Sequence, residues 1–516
     1  MPHSFTAADS ADATDASADR IVEALGSWGF EVDAPVATTR TLLDTFDGRL
    51  HRAGLRLELR RGTGADLVLA AGSGSPPAVL PWSGEAPRTV ADLPAGPFRA
   101  RLAPQVAERA LLPMIVVRSQ RREARRRDRR AKPVVTVVVD DELRCVDQPE
   151  APLPAWFAQV VPVVGHDDDL ARTVGRLRGL GVAPDDREVL DVALAATGRT
   201  AAGRTSSPTV PLDPADGALD AFRAVLRNLL ATVVDNLPGT LADLDPEFLH
   251  ELRVAVRRTR SVLAQGRGVL PDDVRDRFRT GFGQLGVATG PSRDLDVYVL
   301  GWHEAVAPLQ LDPSVTDPLL AALEDRRAAA RAEMATVLRS PATEALLGDW
   351  DDWLTDPDVH AGEGDPPIGE VVARRVARAQ RALLEHGRAI DRGSPAEALH
   401  DLRKDAKKLR YVLECFGSLL PAKPRKAFVT QLKDLQDNLG AHQDAEVQLG
   451  ALRDLAVELH ERDGADADVL LAVGRMIGEL DRRRQEARDD FHARFAAYDT
   501  KRNRALLDEL ARRARP

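Results

Sequence analysis

Two stretches concentrate residues suited to holding an anion: His250 to Arg260, HELRVAVRRTR, and His400 to Arg410, HDLRKDAKKLR. In each, a histidine is followed at +3, +7, +8 and +10 by a base. These are Arg253, Arg257, Arg258 and Arg260 in one copy, and Arg403, Lys407, Lys408 and Arg410 in the other. On a helix turning about 100° per residue, all of them fall within about 80° of the histidine, on one side. Phe248, Leu252, Val256 and Leu263 take the other side of the first copy, and Leu402, Ala406, Leu409 and Leu413 that of the second. Arginine grips phosphate oxygens bidentately and lysine acts as a point charge. Six of the eight lysines, Lys404, Lys407, Lys408, Lys423, Lys426 and Lys433, cluster in and just after the second copy. Like charges on one face repel, so the pattern calls for a neutralising partner, and a phosphate-rich ligand is expected. A solvated arginine face is the competing reading; repetition position for position weighs against it. Neither histidine has a second histidine at helical spacing, so both are expected to donate hydrogen bonds to phosphate rather than hold a metal. Phosphohistidine chemistry is the minor alternative.

The elements that must position these residues are helices. After a Gly/Ser/Thr/Pro-rich stretch at 198–216, expected to be a linker, segments rich in Ala, Leu, Arg and Glu run to the end with helical period. Breaks are expected at Pro238-Gly239, Gly266 to Pro271, Gly290-Pro291, Asp356 to Pro367, Gly417 to Pro424 and Gly464. The 150-residue offset of the two motifs continues without a gap: Leu270-Pro271 matches Leu420-Pro421, Phe278 matches Phe428, Gly290 matches Gly440, Asp294 matches Asp444 and Val297 matches Val447. Such register means two copies of one helical unit. Each copy should hold a leading helix (217–236 and 369–390), the motif helix, a return helix (272–288 and 424–438), and one or more helices after the glycine (294–309 and 443–462). A pseudo-twofold bundle with equivalent helices facing each other follows. Arg293-Asp294 with Asp296, and Gln443-Asp444 with Glu446, read as partners that orient the arginines; Asp294 and Asp444 read equally as N-caps.

The chain of 516 residues is long enough for two to four compact units. Its net charge of −9 excludes a surface built throughout for nucleic acid, so an anion site must be local. Cys145 and Cys415 stand far apart and exclude a disulfide framework or a cysteine zinc site. No apolar run long enough to span a membrane and no export signal is visible, so a cytoplasmic protein is expected. Residues 1–19 read as a disordered tail. Residues 20–197 read as a β-rich domain with a helical appendage. It has a helix at Arg20 to Trp28, strands at Leu55 to Arg60 and Leu67 to Leu69, and β-branched runs at Met114 to Arg118 and Val134 to Val139. These last two flank Arg121 to Lys132, which reads as a solvated hairpin arm.

The pattern His-x-x-Arg-x-x-x-(Arg/Lys)-(Arg/Lys)-x-Arg at His250 and His400, with Gly290-Pro291-Ser292-Arg293-Asp294-Leu295-Asp296-Val297 and Leu435-Gln436-Asp437-Asn438-Leu439-Gly440, resembles the conserved-histidine α-helical domain (CHAD) family. The resemblance covers about residues 214–510. It implies two four-helix units around a basic groove and binding of inorganic polyphosphate, often at polyphosphate granules. It also implies binding roles for His250, Arg253, Arg257, Arg258, Arg260, His400, Arg403, Lys404, Lys407, Lys408 and Arg410. Arg293 and Lys433 join the expected site, although Gln443 departs from Arg293 in the second copy.

The N-terminal half is similar to the CYTH family, the triphosphate-tunnel fold, through Thr41-Leu42-Leu43-Asp44-Thr45-Phe46-Asp47, Leu50, Gly54, Leu55 to Arg61 and the run from Val117-Arg118 to Asp140-Asp141. It departs from that family in lacking a Glu-x-Glu-x-Lys, in placing Ala70-Ala71 where a lysine strand belongs, and in having no glutamates at Thr136 to Val139. Without paired carboxylates nothing would coordinate the Mg²⁺ or Mn²⁺ of phosphoryl transfer. Residual anion binding through Arg56, Arg60, Arg118 or Arg122 remains open.

The expected architecture is an α+β two-domain chain: a β-rich, degenerate CYTH-like domain (20–197, partial barrel or tunnel), a linker (198–216), and an all-α duplicated pair of four-helix units (217–510, copies about 217–355 and 369–510). The expected function is non-catalytic binding of inorganic polyphosphate, with no cofactor, no metal and no membrane partner. Metal-dependent triphosphate hydrolysis through the CYTH-like domain is the alternative. Nucleic-acid binding is disfavoured by the charge and by 4% aromatic content, since stacking platforms for single strands need aromatics. Protein partners stay open.

Overall fold

The alternation Leu55-Arg56-Leu57-Glu58-Leu59-Arg60 puts Leu57 and Leu59 into an apolar core, while Glu58 on the other face is buried as well. A strand covered on both faces while carrying charge needs partners for that charge. In a computed structural model, which describes residues 3–6, 17–71, 77–185, 187–200, 210–360, 365–463 and 467–516, the chain divides into Met1–Arg204 and Thr205–Pro516.

The first unit runs β1 (His3–Thr6), α1 (Ala18–Ser27), β2 (Glu31–Val32), β3 (Val36–Asp44), α2 (Arg49–Arg52), β4 (Leu55–Arg61), β5 (Ala65–Ala71), β6 (Ala78–Pro81), α3 (Pro97–Val106), β7 (Leu112–Arg127), β8 (Pro133–Cys145), β9 (Trp156–Pro162), α4 (Asp167–Arg178), β10 (Ala183–Asp185) and α5 (Val189–Ala196). The strands form one antiparallel sheet in the order β10-β1-β9-β8-β7-β3-β4-β5-β6, with β2 paired to β7. Helices α1 and α4 cover Val135, Val137, Trp156 and Ala158; α3 covers Leu57, Leu59, Leu67 and Leu69.

Three expectations need correction. His3–Thr6 is a strand paired to β9 and β10, so this part of residues 1–19 is ordered by sheet hydrogen bonds that its composition does not announce. Trp156–Pro162 is a strand of the same sheet and not part of a helical appendage. Arg121 to Arg127 continues β7, and its guanidiniums are paired rather than solvated: Arg122 with Asp141 (2.7 Å), Arg125 with Asp33 (2.5 Å) and Arg127 with Glu31 (2.9 Å).

The second unit is all-helical: α6 (Ala218–Leu241), α7 (Pro246–Gln265), α8 (Asp272–Ala288), α9 (Gly290–Val306), α10 (Pro313–Leu338), α11 (Pro341–Thr355), α12 (Ile368–Ala389), α13 (Ala396–Cys415), α14 (Ala422–Asp463), α15 (Ala467–Tyr498) and α16 (Lys501–Arg513). Helices α6 and α12, and α7 and α13, begin at positions 150 residues apart. The duplication is visible in single hydrogen bonds. Ala218 N–H donates to Pro366 O (3.1 Å) and Ile368 N–H to Asp216 O (2.8 Å); the offset maps each bond onto the other, as a twofold contact requires. Phe222 meets Phe416 across the same junction, ring centroids 5.0 Å apart.

Several expected breaks are absent. Helix α6 runs through Pro238-Gly239, and Gly239 instead admits Phe248: a Cβ there would lie 2.3 Å from Phe248 Cδ1. Only Thr289 separates α8 from α9, because Pro291 sits in the first turn of α9, where its missing N–H costs nothing. The second copy has Ala441 at that place, and α14 passes Gly440 without interruption, fusing the expected return helix with its successor. With α10, α11, α15 and α16 also present, the copies are larger than four-helix units. Gly464 lies outside the described residues.

Close approach at the end of the bundle gives a stability prediction. A Cβ on Gly369, in the first turn of α12, would stand 1.9 Å from the carbonyl oxygen of Ala514. Gly369→Ala would gain up to about 1 kcal/mol of helix propensity but would push against backbone that cannot rotate away, an overpacking cost of about 1–3 kcal/mol. The expected net result is a lower urea midpoint for the transition that reports on Trp350 and Trp353; an unchanged or raised midpoint would refute it.

Candidate anion-binding site

Asp245 caps α7, its carboxylate accepting from Glu247 N–H (2.9 Å) and Phe248 N–H (3.2 Å), which starts the helix one turn before His250. Leu249, Leu252, Ala255, Val256, Val262 and Leu263 are buried, and in α13 Leu399, Leu402, Ala406, Leu409, Val412 and Leu413 are. The two motif helices pack on each other in one shared core. Their basic edges are thereby brought together.

The basic residues separate into two classes. Arg257, Arg260, Lys407, Lys433 and His250 make no hydrogen bond or ion pair among the described residues. The rest are engaged. Arg253 donates to Gly286 O (3.0 Å) and Thr289 Oγ1 (2.8 Å), Arg293 to Pro246 O (3.2 Å) and Arg403 to Asp444 (3.1 Å). Arg410 donates to Glu414 (2.6 Å) and Gln436 (3.2 Å), and His400 Nδ1 meets Gln443 Oε1. Lys404 pairs with Asp401 (3.0 Å).

Both +8 positions are diverted. Arg258, 6% exposed, pairs with Glu414 (2.6 Å) and ties the two copies together. Lys408 pairs with Asp405 (2.8 Å), which also meets His386 Nδ1 (2.6 Å). Their common cause is angular: +8 lies at about +80° from the histidine, whereas +3, +7 and +10 lie between about −80° and −20°. Arg258 is therefore a strut between the copies.

The acidic neighbours behave unevenly. Asp294 and Asp444 lie within α9 and α14, so neither is an N-cap. Asp444 holds Arg403, and Asp294 faces Arg253. Asp296 turns away to Arg327 (2.7 Å) and Arg331 (3.7 Å) of α10. Burial, then the opposing Asp444, raises the Asp294 carboxyl above its usual range, so these equivalent carboxylates approach each other.

Crowded cations leave a titration signature. Burial, reinforced by Arg257, Arg403 and Arg410 and opposed by Asp444, pushes the Lys407 ammonium down to about 7. Burial and then Arg257 bring Arg253 down to about 10. His250 is lowered by burial and then by Arg293. An anion seated here would raise the Lys407 value, so binding above pH 7 must take up a proton. Affinity is expected to fall by up to about tenfold per pH unit as pH rises from about 7 toward the bound-state value. Titration calorimetry in buffers of different ionisation heat should show net proton uptake at pH 8 that Lys407→Arg abolishes; equal uptake by the two proteins at pH 8 would contradict the assignment.

The first unit offers a contrasting cluster that sequence reasoning missed. Arg40 (3% exposed) bonds Glu58 (2% exposed) through Nε at 2.5 Å and Nη2 at 3.1 Å. Arg60 bonds the same carboxylate at 2.9 and 3.0 Å, and Asp140 accepts from Ser119 (2.8 Å) and Arg121 (3.4 Å). The signal was present in β4 alone, where charged residues alternate with apolar ones; Arg40 of β3 stands between threonines. Arg56 pairs with Glu188 and Asp191, and Arg122 with Asp19 and Asp141, so three of the four arginines considered for residual anion binding have carboxylate partners. Among the described residues no three His, Cys, Asp or Glu side chains group as metal ligands, and Glu58 and Asp140 are held by guanidiniums. These residues do not fit a divalent metal.

Comparison with known proteins places the helical unit. A family model described as the CHAD domain matches residues 224–449. An uncharacterised protein of Mycobacterium tuberculosis is 28% identical over 301 residues, 55% of this chain, and the chain spans about half the length of the curated relatives it matches, 55% in this case. Among solved structures, the CHAD domain from the plant Ricinus communis is 25% identical, covering 57% of this chain and 96% of its own, with a TM-score of 0.48. PptA from Streptomyces chartreusis is 16% identical, covering 55% of this chain and 100% of its own, with a TM-score of 0.42.

Proposed function

We propose that this protein, whose helical unit contains a CHAD domain, binds inorganic polyphosphate on the basic edge shared by α7 and α13 and associates in cells with polyphosphate granules. The observation that carries the reading is the set of cations without carboxylate partners, Arg257 and Arg260 from one copy and Lys407 and Lys433 from the other, in a chain of net charge −9. In the first unit, by contrast, Arg40, Arg60, Arg122 and Arg127 are each paired with a carboxylate. Unpaired like charges held side by side lower stability unless an anion neutralises them. A linear chain of bare phosphates presents one charge per unit, with no bases or sugars to accommodate, and suits an edge poor in aromatic residues. Arg253, Arg403 and Arg293 flank the free cations and complete the contact surface, with His250 and His400 as hydrogen-bond donors. Long-chain polyphosphate titrated into the full chain at physiological salt tests this. Saturable binding that RNA of matched charge does not displace supports the reading; binding no stronger than that of albumin defeats it.

A further inference from the structure

At position +7 the copies differ chemically: Arg257 stands in the first and Lys407 in the second, so at this pair only one side of the twofold carries an amine. Lys407 is partly buried beside Arg403 and Arg410 of α13, with Arg257 of α7 opposite and Asp444 of α14 nearby, and no carboxylate is bonded to it. Its neighbours in sequence are different. Lys404 and Lys408 are each held by an aspartate, at 3.0 and 2.8 Å, and Lys423 and Lys426 stand exposed at the start of α14.

We infer that Lys407 is an acylation site for acyl phosphates, whose phosphate group docks on the guanidiniums around it. This deepens the polyphosphate reading, since the same cations that hold the polymer would hold the reagent. The docked phosphate presents its acyl carbon to the amine. Lys407 Nζ attacks that carbon, the C–N bond forms, and the C–O bond to phosphate breaks. Inorganic phosphate leaves with the bonding electrons and accepts the amine proton. Burial, reinforced by the guanidiniums beside it, lowers this amine's hold on its proton and so favours the neutral nucleophile relative to an exposed lysine. The product amide carries no charge, so acylation removes a cation from the centre of the edge and lowers polymer affinity. Acyl phosphate supply would then control polymer binding through a single residue.

The test uses the full-length protein with acetyl phosphate at pH 7.5, and acetic anhydride in parallel, with acetylation of each lysine followed by peptide mass spectrometry. Acetyl phosphate is expected to label Lys407 about tenfold or more faster than Lys423 and Lys426, by proximity. Tripolyphosphate should suppress that labelling, and with acetic anhydride, which has no phosphate to dock, the preference should shrink to what the more neutral amine alone gives. Polyphosphate affinity should then fall by about tenfold in proportion to Lys407 acetylation, the loss of one charge-assisted contact. Lys407→Arg, whatever its starting affinity, should become insensitive to the treatment. Labelling of Lys407 no faster than that of Lys423, or the same preference with the anhydride, overturns the site. If the untreated protein binds polyphosphate while Lys407 stays unlabelled, the acylation site fails and the binding function stands. If Lys407 is labelled preferentially with protection by tripolyphosphate, yet long-chain polymer does not bind, the binding function fails and the acylation site stands.

Discussion

Replacing Arg257 and Lys407 together by alanine is expected to weaken long-chain polyphosphate binding by about two to three orders of magnitude. Hydrogen bonds to charged groups are worth about 1.5–3 kcal/mol each, so two lost contacts amount to about 3–6 kcal/mol if additive and less where they share one ligand, and each factor of ten corresponds to about 1.4 kcal/mol. The double variant removes one cation from each copy at equivalent positions, so it also asks whether the copies act on one ligand. If they do, each single variant should lose a smaller factor and the two effects should not simply add, because both residues face the same stretch of polymer. Neither residue is bonded to a carboxylate, so the fold is not expected to suffer; removing repulsion should leave thermal stability equal or higher. Arg258→Ala is the informative contrast. It breaks the tie to Glu414 between the copies, and its main loss should be in stability. Equal affinity for wild type and the double variant, in a folded protein, would remove the site.

The second large effect lies in the first unit. Arg40→Ala leaves Glu58 and Asp140 buried with fewer counter-charges, and breaking a buried pair in this way costs about 3–5 kcal/mol. Hydrogen exchange of the β3 and β4 amides should accelerate by about two to three orders of magnitude, with the helical unit largely unaffected. Arg40→Met combined with Glu58→Leu should recover much of the loss, since both deeply buried charges of the pair are gone and Arg60, left without its carboxylate, reaches solvent. A pH dependence follows from the same cluster. Burial opposes ionisation of Glu58, but Arg40 and then Arg60 outweigh it and hold the carboxyl well below the usual range. A depressed folded-state value means that the contribution is present above the unfolded value of about 4.5 and is lost as pH falls below it. Wild-type stability of β3 and β4 should therefore drop between pH 5 and 3, and the Arg40→Met, Glu58→Leu variant should drop less. Equal slopes in the two proteins would show that Glu58 is not the group responsible.

The first unit was legible where periodicity is simple and illegible where pairing is remote. Leu55 to Arg60 announces its strand, and the charged residues that alternate in β4 hint at a polar cluster. His3–Thr6 and Trp156–Pro162 are short segments whose strand character comes from their partners: β1 exists because β9 and β10 lie on either side of it. The arginines of β7 read as solvated because their acids lie in α1, β2 and β8, distant in sequence. Helix breaks were overcounted for a related reason. Proline and glycine lower helix propensity locally, but Gly239 lies under Phe248 and Pro291 sits in a first turn, where packing and position cancel that preference.

By itself the sequence determined that the C-terminal part is duplicated with an offset of 150, that it is helical, and that each copy carries a histidine and four bases toward one side of a helix. A helix has one period, so spacing alone decides which side a residue faces. Tertiary structure decided which of those bases remain available. Arg258 is lost to Glu414, which has no counterpart in the first copy, where Ala264 stands; Lys408 is lost to Asp405; Arg257, Arg260 and Lys407 stay free. Availability depends on distances of a few ångströms between groups that the chain brings together from elsewhere, and helical period carries no information about those distances.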